Sequence, residues 1–129
     1  MSRENEYATQ IVDAAYNVHV AMGPGLLESV YETALAYELS SRGLEVERQV
    51  GIPVRYKEIV LDEGFRTDLV VEKRVIVELK SVEKLAPVAL KQLLTYLRLS
   101  DMRLGLLINF NEALIKNGIH RVVNGLTDA

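Results

Sequence analysis

Apolar residues recur at helical spacing through the first third of the chain, alternate with charge through the middle, and run almost unbroken through two later stretches. From about Glu4 to Met22, the positions Ile11, Ala15, Val18 and Met22 fall three or four apart, which predicts an amphipathic helix. Gly23-Pro24-Gly25 stops it. The pattern resumes from Leu26 to about Arg42 through Leu27, Val30, Ala34 and Leu35, with Gly43 where a C-terminal capping glycine belongs. Past Gly43 the period shortens. Val46, Val50, Ile52, Val54 and Tyr56 are interleaved with polar residues over Glu45 to Lys57, as in a half-exposed strand, and Gly51-Ile52-Pro53 marks a bulge or an edge. Ile59 to Leu61 reads as a further short strand, Asp62-Glu63-Gly64 as a turn, and Glu72-Lys73-Arg74 as a tight hairpin turn. From Ala86 to Ser100, a stripe of Leu90, Leu93, Leu94 and Leu97 with Pro87 in the first turn predicts a third helix. Leu104 to Ile108 is apolar throughout, as expected of a strand covered on both faces, and Ile119 to Val123 offers a last strand after the punctuation of Asn109, Asn111, Asn117 and Gly118. The expected fold is α/β: two helices, three or four strands, a helix and two strands, forming a mixed, mostly antiparallel sheet with helices on both sides.

Composition narrows this picture. With 129 residues, 49% of them apolar, residues 1–129 suit one domain with one core. A net charge of −3 and a pI near 5.4 argue against gripping nucleic acid by bulk positive charge, so any polyanion contact must be local. The absence of cysteine excludes disulfides, thiolate metal sites and cysteine nucleophiles. The opening Met1-Ser2-Arg3-Glu4-Asn5-Glu6 lacks the apolar core of a signal peptide, and no apolar run approaches a membrane span. The expectation is a soluble cytoplasmic protein with no membrane partner.

Candidate chemistry is concentrated between Arg66 and Lys80, where Asp68 lies on one apolar run and Glu78-Leu79-Lys80 ends the next. A strand alternates faces, so Glu78 and Lys80 emerge on one side, roughly 6.6 Å apart along the backbone, while Leu79 points into packing. If the two runs pair, two carboxylates and an ammonium converge. The plain alternative is an ion pair between Glu78 and Lys80 at a strand end, but clustered carboxylates repel until a proton or a cation intervenes. Mg²⁺ needs hard oxygen ligands and room for waters and phosphate oxygens, which Asp68 and Glu78 suit. Such an ion activates water and shields charge on a scissile phosphate, with Lys80 positioned to orient that water or stabilise the transition state. By spacing alone, Glu28 is a solvated acid in the first turn of its helix, and Gln92 and Tyr96 are an ordinary helix flank offset from the leucine stripe.

The order of elements and the D…E-x-K pattern resemble the PD-(D/E)XK nuclease superfamily. More narrowly, Gly25-Leu26-Leu27-Glu28-Ser29-Val30-Tyr31 resembles the signature of the GxxExxY family, and Gln92-Leu93-Leu94-Thr95-Tyr96 resembles the Q-x-x-x-Y helix of RecB-like members. Thr67, rather than proline, precedes Asp68. The resemblance implies a restriction-endonuclease-like core and a Mg²⁺- or Mn²⁺-dependent nuclease acting on nucleic acid, DNA ahead of RNA. It implies that the Leu79 carbonyl joins Asp68 and Glu78 as a metal ligand, that Lys80 is the catalytic lysine and that Glu28 reaches the metal directly or through water. Gln92 and Tyr96 would support the site, and Tyr31 would pack with its hydroxyl tethered. His19 and His120 read as structural or exposed. The competing expectation is a non-catalytic module of the same scaffold that binds nucleic acid or a protein, and exposed apolar surface would also suit a homodimer.

Overall fold

The structure, a computed structural model, describes residues 2–127 and, within them, every side chain except those at 62 and 63. Helix α1 spans Arg3–Met22, begun by the Ser2 hydroxyl accepting from the Asn5 N–H at 3.1 Å. Helix α2 spans Glu28–Ser41. Arg42, just past α2, ties the two together by reaching Asp13 at 2.8 Å, Gln10 at 2.9 Å and Glu38 at 3.2 Å. Strands β1 (Val46–Tyr56), β2 (Ile59–Val71) and β3 (Val75–Lys80) follow, then helix α3 (Val88–Ser100), strand β4 (Leu104–Asn109), a short 3₁₀ turn and strand β5 (Ile119–Val123).

The five strands lie in the order β1-β2-β3-β4-β5. Hairpin connections make β1, β2 and β3 antiparallel neighbours, and β5 folds back antiparallel on β4. Among the described residues, only β3 and β4 pair in parallel, because a parallel return needs a crossover long enough to hold α3. Side-chain alternation then splits the core. Leu69, Val71, Val75, Val77, Leu79, Leu104, Leu106 and Ile108 pack under α1 and α2, whereas Val70, Ile76 and Leu107 meet Ala89, Leu93, Tyr96 and Leu97 of α3. Helices on both faces explain why β3 and β4 read as nearly continuous apolar runs. No helix among the described residues is long and apolar enough to cross a membrane.

Two local expectations need correction. Ile59 to Leu61 is not a separate strand, because β2 runs unbroken from Ile59 to Val71. The Asp62-Glu63-Gly64 stretch is a bulge in it: Ile52 pairs with Phe65 and Val54 with Leu61, leaving three residues of β2 against Pro53. Pro53 has no N–H to give the ladder, and at Gly64 a β-carbon would collide with the Ile52 carbonyl, so turn-type residues here absorb extra length without ending the strand. The inward face of α3 is also rotated from the leucine stripe. Ala89, Leu93, Tyr96 and Leu97 are buried, while Leu90 and Leu94 lie on the flanks. Leu93 sits directly over Gly105, where a β-carbon would crowd it, and this docking turns Tyr96 toward the sheet.

The tight turn between β2 and β3 forms as expected. The Arg74 N–H donates to the Val71 carbonyl at 3.0 Å, with Glu72 and Lys73 both left-handed at φ 53° and 54°.

Candidate active site

Strands β2 and β3 are joined through Val71↔Val75, Val70↔Ile76 and Leu69↔Val77, and there the ladder stops. One step further the strands fork. The Asp68 N–H donates to Glu78 Oε1 at 3.1 Å, and the Leu79 N–H donates to Asp68 Oδ2 at 2.8 Å, so each strand's backbone is satisfied by the other's carboxylate. β2 continues with β1, while β3 stays with β4 through Leu79↔Ile108 and Lys80↔Asn109. Successive carbonyls along a strand point to opposite sides. That of Lys80 accepts from the Phe110 N–H at 2.9 Å on the β4 side, so that of Leu79 faces the fork.

Taking two acids out of water at one place raises the cost of ionising both. Glu78 is 8% exposed, and its carboxyl is pushed up to about 7, first by burial and then by the charge of Asp68, against the opposing pull of the Asp68 N–H, Lys80 and Thr67. Burial also raises Asp68, which the Leu79 N–H and the Gln49 amide partly counter and the charges of Glu32 and Glu28 reinforce. The Tyr96 phenol is raised by burial, then by Glu78 and Asp68, which puts it within electrostatic range of the fork.

The donor set suits a magnesium-like ion. It consists of carboxylates and a carbonyl, all hard oxygens, in a desolvated fork where a cation would relieve repulsion that Lys80 and the neighbouring N–H groups only partly offset. No group of three or more His, Cys, Asp or Glu able to hold a metal gathers among the described residues, so this is no closed cage of the structural zinc kind. An ion that keeps waters and takes phosphate oxygens needs fewer protein ligands.

The loop containing the Gly25-to-Tyr31 signature sits beside the end of β3. The Ser81 hydroxyl donates to the Leu26 carbonyl at 2.5 Å, immediately after Lys80. Tyr31 is fully buried, with its ring stacked on Phe110 at 4.4 Å, its hydroxyl donating to the Gly23 carbonyl at 2.6 Å and accepting from the Leu26 N–H at 3.1 Å. Gly23 and Gly25 supply left-handed conformations in that loop, at φ 72° and 95°. Asn109 holds the other flank: its amide donates to the Val82 carbonyl at 2.9 Å, and its oxygen accepts from the Val82 N–H at 3.1 Å. Tyr31→Phe strips two bonds from the loop that leads into Glu28. We expect it to lower stability by about 1–3 kcal/mol, seen as a lower chemical-denaturation midpoint. An unchanged midpoint would mean that ring packing alone orders the loop.

The predicted residues are not all equally close to the fork. Asp68, Glu78 and the Leu79 backbone meet there, and Lys80 follows on the same strand, half-buried. Glu28 is exposed in the first turn of α2, near enough for its charge to act on Asp68. Tyr96 is buried over the fork side of α3 with its ring 4.8 Å from that of Phe65, but Gln92, one turn earlier, is exposed. His19 lies away from the site, buried against the Glu112 carbonyl at 2.8 Å. Sequence reasoning missed Glu32 and Gln49. Glu32 is buried one turn after Glu28, paired with Arg48 at 3.1 Å, and Gln49 bridges from Glu32 to Asp68. The four-residue spacing of Glu28 and Glu32 was the available signal for the first; alternation along β1 offered none for the second.

No curated protein and no solved structure matches the chain. A family profile described as the PD-(D/E)XK nuclease superfamily matches residues 5–122. Members of that superfamily generally depend on divalent metal. The match covers the loop before α2, both arms of the fork and α3, and so nearly every element described above. The chain belongs to the PD-(D/E)XK nuclease superfamily.

Proposed function

We propose that residues 1–129 act as a single-domain, Mg²⁺- or Mn²⁺-dependent nuclease of the GxxExxY kind that hydrolyses phosphodiester bonds, with DNA as the preferred nucleic acid. The observation that carries this reading is the fork, where Asp68 and Glu78 each accept a backbone N–H from the opposite strand beside the Leu79 carbonyl. Those N–H bonds tether one oxygen of each carboxylate before any ligand arrives, which reduces the reorganisation left for the reaction. Asp68, Glu78 and the Leu79 carbonyl would hold a divalent cation, with Glu28 as an outer partner, and such an ion would supply positive charge to the phosphate and to the attacking water. Lys80 follows these ligands on β3, as a compact cation that orients the water or offsets negative charge building on phosphorus. The Tyr96 phenol and the Gln92 amide support the site from α3. With a net charge of −3, substrate contact falls to groups near the fork rather than to a basic surface.

The test is cleavage of labelled single- and double-stranded DNA and RNA in Mg²⁺, Mn²⁺ or EDTA, with Asp68→Ala purified in parallel to expose contaminating nucleases. Cleavage that requires metal and disappears in Asp68→Ala supports the reading and identifies the substrate. A folded wild type that cuts nothing with either metal overturns it in favour of a binding module on a nuclease scaffold.

A further inference from the structure

Gln49 has an unusual conformation for a strand residue. It stands between the pairs Arg48↔Leu69 and Val50↔Thr67, level with Asp68, and its φ of 51° lies in the left-handed region that side chains other than glycine and asparagine rarely adopt. Its side-chain amide donates to Glu32 Oε1 at 2.5 Å and lies 3.3 Å from Asp68 Oδ1. Both ends of this bridge are anchored. Glu32 is 8% exposed and held by the Arg48 guanidinium at 3.1 Å, which also reaches the Thr33 hydroxyl at 2.9 Å. The Gln49 carbonyl accepts from Arg66 at 2.9 Å. Asp68 Oδ2 is already engaged by the Leu79 N–H, so the Gln49 amide is the contact that sets the direction of Oδ1.

We propose that Gln49 is a positioning residue, whose amide, anchored through Glu32 and Arg48, holds the Asp68 carboxylate in the orientation the fork uses. A neutral amide with two hydrogens suits the task, since it can bond two carboxylates at once without neutralising either. A cation in its place would compete with the metal, and a carboxylate would add repulsion. A backbone held in a sparsely populated conformation beside candidate catalytic groups is the arrangement in which strain serves a site. The inference rests on the nuclease reading for its consequence, but not for its geometry.

The experiment uses Gln49→Gly in the full chain, because glycine accepts φ 51° and removes the side chain that carries the amide. In the metal-free protein, the Gln49 side-chain amide signal in nitrogen-15 NMR should shift when either Asp68 or Glu32 is replaced by alanine. Gln49→Gly should keep or raise the melting temperature while weakening Mn²⁺ affinity by calorimetry about ten- to a hundredfold, the range for partners that orient metal ligands. If the protein cleaves nucleic acid, kcat should fall with KM little changed. Wild-type Mn²⁺ affinity in Gln49→Gly, or an amide signal indifferent to Asp68→Ala, overturns the proposal. If wild type binds no Mn²⁺ and cuts nothing, the nuclease reading fails by itself, and the amide signal still decides whether Gln49 holds Asp68.

Discussion

Lys80→Ala is expected to lower the cleavage rate by about a thousandfold or more, equivalent to about 4 kcal/mol of transition-state stabilisation, while the protein still folds. The fold should survive because β3 is held there through the backbone: the Lys80 carbonyl accepts from the Phe110 N–H at 2.9 Å, and Asn109 clamps the chain at Val82. Lys80 is only half-buried, so alanine opens no core cavity. Arginine should not restore the rate. Its planar guanidinium presents a different geometry from a compact ammonium in a fork already crowded by Glu78 and Tyr96. Single-turnover cleavage at saturating Mg²⁺, with circular dichroism to verify folding, measures the effect. A folded Lys80→Ala protein that cuts at more than about a tenth of the wild-type rate would remove lysine from the chemistry.

Glu78→Gln should make the metal-free protein more stable at pH 8, by about 2–3 kcal/mol. The carboxyl ionises near 7 in the fold against 4.5 when free, a gap worth about 3 kcal/mol at most. Between these values the folded state holds a proton that the unfolded chain has released, so stability falls as pH rises from 4.5 to about 7 and is level above that. The protonated acid is therefore compatible with its surroundings at low pH, and the charged form is the burden at high pH. Glutamine keeps the oxygen that accepts the Asp68 N–H and discards the charge. The advantage of the variant should therefore be near zero at pH 4 and largest at pH 8, read from urea denaturation at both. Mg²⁺ should stabilise the wild type at pH 8 and Glu78→Gln much less, because only the former carries the repulsion that a cation relieves. A variant less stable than wild type at pH 8 would show that Lys80 and the surrounding N–H groups already compensate the Glu78 charge.

Periodicity located nearly every element, because helix and strand bury their faces at different repeats and this chain keeps each repeat cleanly. The exceptions have local causes. Turn-type residues at 62–64 became a bulge because Pro53 opposite could not continue the ladder, and the inward face of α3 followed the docking of Leu93 over Gly105 rather than its own leucine stripe. Asp68, Glu78 and Lys80 were legible for a physical reason. Charges in otherwise apolar strands are costly and therefore conspicuous, and strand geometry fixes their spacing. Tyr31 was legible as a tethered packing residue, and the structure adds its partners, Gly23 and Leu26. Asn109 was legible as a residue type but not as a tether, since its partner Val82 lies in another segment.

What this protein's sequence determined by itself is its elements, the facing helices, and the membership of Asp68, Glu78 and Lys80 in one neighbourhood, all consequences of local repeat and short-range connection. Tertiary structure alone decided that β2 and β3 part after Leu69↔Val77, that Tyr96 rather than Gln92 is buried toward the fork, and that Glu32 and Gln49 reach Asp68 from a different helix and strand. Those features depend on how far paired strands stay together and on a backbone angle at Gln49 that its residue type does not favour. Both are set by the summed packing of segments distant in the chain, which no local pattern encodes.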